Sequence, residues 1–318
     1  MTPKSFITIL LVFILKISVA VNYTWTGTTN TTWNLATNWS PAGIPGAADN
    51  ATIVSTANQP VLSANTSIKN FTLTSGTLNL NGFALNISGI SVFNGGQIDN
   101  GNLNITGSSS TFAGTIFNST ITAVCANIYF NGATFNQNGM IEKTGAGDDA
   151  SIGGNFFASS SWLQIKNSGT GNLIFGTVNP DVFSGSTEIY NNSPAAEIRI
   201  ADGSFGNIIS GNVTFDNGTS AAPSSRSIHI CNTGSLSVSG AIRLNNFGSA
   251  GIFFGENGGN TTFTNSSNIG SFGFVDGTLQ WSNVTSDQVN NIWYMAGTAS
   301  LKLGPGTVFN QSFSATSP

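Results

Sequence analysis

Charge is scarce in this chain. Of 318 residues only 9 are Lys or Arg and 13 are Asp or Glu, for a net charge of -4. Neutralising phosphates takes clustered basic side chains, so no nucleic-acid partner is expected. No block of like charge occurs, which excludes an acidic or basic tail. His229 is the only histidine, so any histidine chemistry rests on that one residue. Cysteine is limited to Cys125 and Cys231, too few for a disulfide-stapled fold even where export permits disulfides. Beyond the first residues no apolar stretch approaches the roughly 20 residues that span a bilayer. Amphipathic stretches of helical period are missing as well.

What remains is dominated by Gly, Asn, Ser and Thr, with apolar residues in short runs. The content of 39% hydrophobic residues, with 23 Phe, is more than a disordered chain leaves in water. The N-terminus reads as a signal peptide: Lys4 supplies the positive end, Phe6 to Leu15 the apolar run, and Ser18-Val19-Ala20 the small residues of a cleavage site. Lys16 interrupts the run too early for a membrane span. The expected organisation is a signal peptide over 1–20, a tryptophan-rich cap over 21–62, repeats over 63–285, and a truncated final rung over 286–318. The mature chain is expected to be secreted or at the cell surface, with no membrane span after signal cleavage.

Alternating, strand-like sequence begins at Ala51 and continues almost to the end. Phe157, Phe183, Ile209, Val238 and Phe263 open similar segments at intervals of 26, 26, 29 and 25 residues, and Phe112 and Phe135 read as earlier members. Each segment carries two strand motifs. The first includes Leu163-Gln-Ile165, Thr187-Glu-Ile189, Val213-Thr-Phe215 and Ile242-Arg-Leu244. The second includes Ile128-Tyr-Phe130, Leu173-Ile-Phe175, Ile198-Arg-Ile200, Ile228-His-Ile230 and Ile252-Phe-Phe254. Flanking positions are apolar and the middle one is free, as in a strand with one face buried. Short strands at a period of about 22–29 residues predict an all-β, right-handed parallel β-helix, a β-solenoid; an array of β-sandwiches is the alternative.

Two further columns accompany the strands. Asn167, Asn191, Asn217 and Asn246 follow the first motif and are expected to stack as a structural ladder. Asn131, Gly176, Ala201, Cys231 and Gly255 follow the second, and their small size predicts a tight corner. Cys125 and Cys231 fall four rungs apart, roughly 19 Å at about 4.8 Å per rung. A disulfide tolerates a Cα separation below about 7 Å, so both thiols are expected free.

The segment Tyr23-Thr-Trp25-Thr-Gly27, Trp33, Asn38-Trp39-Ser40-Pro41, Ile44-Pro45 and Asp49-Asn50 resembles the N-terminal motif of large secreted bacterial cell-surface repeat proteins. Lys143-Thr-Gly145-Ala-Gly-Asp148-Asp149, Gly153-Gly-Asn155, Asn167-Ser-Gly169-Thr-Gly171 and Asn179-Pro-Asp181 resemble repeats of the same proteins. The resemblance is to adhesin-like or autotransporter-passenger-like chains. It implies a parallel β-helix at a bacterial surface and specifies no activity.

Few residues suggest chemistry. Trp25, Trp33 and Trp39 are candidates for a sugar-binding platform or for closing the open end of the core. Arg199 and His229 fall in one outward column, where they are candidates for holding an anionic sugar or carboxylate; Glu188 and Glu197 are available as surface ion-pair partners. Asp148 and Asp149 are the one adjacent acidic pair and the nearest thing to a metal candidate, without a calcium-loop signature. Spacing singles out no pair of glycosidase carboxylates. It leaves a Ser-His-Asp arrangement open, without a nucleophile elbow. No catalytic residue, cofactor or metal is assigned, and an enzyme is not expected. The expected function is structural or adhesive, a repetitive polar surface attaching weakly and multivalently to surface glycans or to host or neighbouring cells. The alternatives are a carbohydrate-active or carbohydrate-binding β-helix, and a passive spacer or stalk of a longer surface protein.

Overall fold

The computed structural model describes residues 19–158, 162–218, 227–247, 250–264, 268–269, 273–274, 278–286, 291–294, 300–310 and 313–316. All but the last two residues of the expected signal peptide lie outside them. The described chain is all-β apart from one 3-10 turn at Ala36–Asn38. Among the described residues no helix is long and apolar enough to cross a membrane.

Three parallel ladders are visited in a fixed order. Asn70–Leu73 lies in the first, Thr77–Asn79 in the second and Ala84–Ile87 in the third, before Ile90–Phe93 returns to the first. The cause is the alternation read in the sequence. Ile198–Ile200 and Ile228–Ile230 each bury their outer residues and leave the middle one partly exposed. Each inward Leu, Ile or Phe removed from water contributes about 1.5–3 kcal/mol. The inward positions form one continuous core from Trp25 to Val284.

The registers align the columns residue by residue. Ile165 pairs with Ile189, Ile189 with Phe215 and Phe215 with Leu244. Phe135, Phe157, Phe183, Ile209, Val238 and Phe263 also form one column. Its earlier member is Phe117, not Phe112. Phe112 stands in the first ladder between Phe93 and Phe130. Both columns stack their rings: Phe135 and Phe157 are 5.4 Å apart at 3°, and Phe93 and Phe112 are 5.5 Å apart at 4°.

The period is shorter at first than the expected 22–29 residues. Asn50 pairs with Asn70 and Ser109 with Asn127, intervals of 20 and 18. Later, Leu173 pairs with Ile198 and Ile198 with Ile228, intervals of 25 and 30. The difference lies in the connections. Gln97–Ile105 and Ile116–Cys125 each run from the second ladder into the third as one strand. That passage keeps its length later, four residues from Phe117 to Ile121 and from Phe183 to Thr187; the extra residues lie in the other passages, with five from Phe112 to Phe117 but nine from Ile200 to Ile209.

The stack begins inside the tryptophan-rich segment. Asn22–Trp25 pairs in parallel with Asn50–Ile53, and the antiparallel strand Trp39–Ser40 covers its other edge. An exposed edge strand is a template for unwanted pairing, and this cover removes it. At the other end of this sheet, side chains replace main-chain acceptors. Asp149 Oδ2 accepts the Ile128 N–H at 2.8 Å, and Ser151 Oγ accepts the Phe130 N–H at 2.9 Å. Asn155 Oδ1 accepts the N–H groups of Gly132 and Ala133 at 3.0 Å each. A second parallel sheet, starting at Asp149–Ala150, continues the first ladder from there.

The small-residue corner has a backbone reason. Gly176, Ala201, Cys231 and Gly255 have φ of 61, 55, 55 and 61°, the left-handed region that disfavours large side chains.

Candidate functional site

Trp25, Trp33 and Trp39 are 0%, 0% and 3% exposed. Trp39 meets Trp25 and Trp33 edge-on, with centroids 5.0 and 4.6 Å away. Two indole N–H groups are tied down: Trp25 donates to Asn58 O and Trp39 to Trp33 O, both at 2.8 Å. A sugar-binding platform needs an open ring face, and these rings have none. The candidate is corrected: the hydrophobic drive that covers the end of the core also buries the indoles.

Asp148 and Asp149 do not converge. Consecutive residues of a strand point to opposite faces. Asp148 is exposed and accepts the Asn172 N–H at 2.8 Å, while Asp149 is fully buried and lies 3.6 Å from Lys143 Nζ. Burial pushes the Asp149 carboxyl above its ordinary range, against the lowering effect of the Ile128 N–H and Lys143. Among the described residues no three His, Cys, Asp or Glu side chains are placed to hold a metal ion.

Asn167, Asn191, Asn217 and Asn246 stand in register and are fully buried. Their amides mainly satisfy turn backbone. Asn167 Nδ2 donates to Gly171 O at 3.1 Å and Asn191 Nδ2 to Ala196 O at 3.1 Å, and Asn217 Nδ2 also reaches Asn246 Oδ1 at 2.7 Å. The sequence reading missed that Lys143 occupies this same column, between Cys125 and Asn167. Cys125 and Cys231 are free and buried, and burial pushes each thiol up to about 11.

A second buried polar column was also missed. Asn155, Asp181 and Asn207 stack at the corner before the second ladder. Asp181 Oδ1 accepts both the main-chain N–H and Nδ2 of Asn155, at 2.9 and 2.8 Å, and Asn207 Oδ1 accepts the Asp181 N–H at 2.8 Å. Desolvation outweighs these bonds and pushes the carboxyl up to about 6. The folded chain therefore keeps this proton to about pH 6, whereas the unfolded chain releases it near 3.8. Stability from Asp181 is fully present below the lower value and is lost as pH rises to the upper one. Asp181→Asn continues the amide column on both sides and is expected to flatten the fall in stability between about pH 4 and 6. Denaturant unfolding at several pH values checks this, and an unchanged slope would sink the assignment.

The outward face of the later first ladder carries the Arg199–His229 column. Arg199 pairs in register with His229, and His229 with Phe253. The imidazole lies on the Phe253 ring, centroids 5.2 Å apart at 17°. Arg199 donates through Nε and Nη2 to Glu197 Oε2 at 3.0 and 2.9 Å, and Nη1 lies 3.7 Å from Asp202. With Arg199 33% and Glu197 25% exposed, this is a surface ion pair worth at most about 1 kcal/mol. His229 bridges three circuits. Its Nδ1 lies 2.9 Å from Glu256 Oε2 one circuit on, and its Nε2 is 2.6 Å from Oγ of Ser227, the residue just before its own strand. Glu197, one circuit back, is 3.8 Å from Nε2. Ser227 and Glu256 were missed because only the return of the chain brings Glu256 to His229; the i, i+2 spacing of Ser227 and His229 was visible.

Comparison of the chain with protein-family models, with curated proteins and with solved structures finds no match in any of the three.

Proposed function

We propose that this chain is an exported rod, wound as a right-handed parallel β-helix, that attaches at a cell surface through many weak contacts. The handedness follows from the rule that parallel crossovers are right-handed in about 98% of cases. At roughly 4.8 Å per circuit, the thirteen first-ladder strands of the two sheets, without the covering strand Trp39–Ser40, give a rod about 60 Å long.

The observation that carries the reading is the registry of outward amides and hydroxyls. Asn70 Nδ2 donates to Asn50 Oδ1 at 2.7 Å, Asn104 to Asn86 at 2.9 Å, Asn136 to Asn118 at 2.7 Å, and Asn257 to Asn232 at 2.7 Å. Such pairs set like polar groups one circuit apart, and Asn22, Asn50 and Asn70 form a run of three, a spacing that suits a repetitive glycan. Each contact is weak, and linked contacts add through effective concentration. Beads carrying the chain at graded density are expected to be retained on glycan-coated or cellular surfaces about 10²–10⁴ times more strongly at high density than at low. Retention that is absent, or indifferent to density, would overturn the reading.

A further inference from the structure

We propose that Ser227, His229 and Glu256 form an acyl-transfer site on the outer face of the later first ladder. The inference goes beyond attachment and rests on geometry alone. Glu256 Oε2 lies 2.9 Å from Nδ1, and because a carboxylate accepts but does not donate, this charge contact favours the imidazole proton on Nδ1. The lone pair is then on Nε2, facing Ser227 Oγ at 2.6 Å. Glu197 Oε1, at 3.8 Å from Nε2, is beyond hydrogen-bond reach and does not compete. This is the order of contacts of a nucleophile, a base and an orienting carboxylate.

The fold holds each part by a separate device. Ser227 and His229 share a face because they are two residues apart on one extended segment. The parallel ring of Phe253 and the Glu256 contact fix the plane of the imidazole. Glu256 follows Gly255, whose left-handed corner directs the chain away from the strand. The residue in register with Ser227 on the next circuit is Gly251, which itself places no side chain over Ser227.

The reaction balances with water as the other reactant. Ser227 Oγ adds to the carbonyl carbon of a carboxylic ester as its proton passes to Nε2. The adduct breaks its bond to the alkoxy oxygen, which takes that proton and leaves as the alcohol. Water then adds to the acyl-serine carbon, its proton going to Nε2 and on to Oγ as the acid departs. The site lies on a sheet face with Ser227 only 6% exposed, so the ester it reaches is a small acyl group presented by a larger molecule lying along that face, such as an O-acetyl group on a polymer.

The test uses the full chain with a fluorophosphonate probe and with acetylated polysaccharide and p-nitrophenyl acetate as substrates. Label is expected on Ser227, identified by peptide mass, and is lost in Ser227→Ala and His229→Gln. Ester turnover is expected to fall by about 10²–10⁴-fold in Glu256→Gln at unchanged KM, with partial rescue by Glu256→Asp. Glu256 is 38% exposed, so its variants keep the test open if a change at His229 disturbs folding. An unlabelled Ser227, or turnover no greater than that of Ser227→Ala, would overturn the proposal. Surface retention equal in wild type and Ser227→Ala would leave the attachment reading standing whichever way the chemistry falls.

Discussion

Replacing Lys143 with methionine is expected to cost about 3–5 kcal/mol of stability, read from the denaturant midpoint. Lys143 is a fully buried cation. Its Nζ donates to Gly145 O at 2.9 Å and lies 3.6 Å from Asp149 Oδ2. Methionine has a similar length, so the effect is not that of a cavity. It strands Asp149, whose Oδ1 already has no hydrogen-bond partner, as a buried carboxylate without a counter-charge. The neighbouring circuit solves the same turn without charge. Lys143 aligns with Asn167 and Asp149 with Leu173, and the spacing between the two members is the same in both circuits. The double change Lys143→Asn with Asp149→Asn keeps an acceptor for the Ile128 N–H and a donor for the turn. It is expected to recover most of the loss, because removing both charges removes both desolvation costs. A Lys143→Met chain as stable as wild type would show that the ion pair is dispensable.

Gly107→Ala is expected to destabilise by about 3 kcal/mol or more. A Cβ at Gly107 would lie 1.5 Å from Gly89 O and 2.5 Å from its carbonyl carbon. Those atoms are backbone of the preceding circuit, held by the Gly89 N–H bond to Lys69 O at 2.7 Å. Neither can yield without parting the ladder, whose strands sit about 4.8 Å apart. Gly147→Ala is the control: its Cβ would find Asn127 Oδ1 at 3.6 Å, ordinary contact, and its φ is not in the left-handed region. It is expected to change stability by less than about 0.5 kcal/mol. Thermal or denaturant melts of the two variants separate the explanations, since backbone entropy alone makes Gly→Ala stabilising and equal losses would show that the close approach at Gly107 is not the cause.

Much of the architecture was legible before any coordinates. Alternation at Ile198-Arg-Ile200 and Ile228-His-Ile230 shows which residues turn inward, because extended chain has a period of two. Recurrence from Phe157 to Phe263 aligns one column correctly, because inward positions at equal depth must meet the same neighbours. The left-handed corner at Ala201 and Cys231 left its trace as small side chains. Arg199 and His229 were placed in one column for the same reason.

The sites were less legible because they depend on meetings between circuits. Lys143 has no apolar signature, and its membership of the buried asparagine column becomes visible only through its pairing with Asn167. Asp148 and Asp149 look like a pair on paper, yet strand pleating sends them to solvent and to core. Three tryptophans close together announce an aromatic cluster but not which of its faces is covered. Glu256 lies 27 residues beyond His229 and touches it because one circuit happens to end where the other's imidazole begins. Local periodicity therefore settles what points inward and what points out. The lengths of the turns set the registry between circuits, and only that three-dimensional registry decides which outward and buried polar groups come within reach of one another.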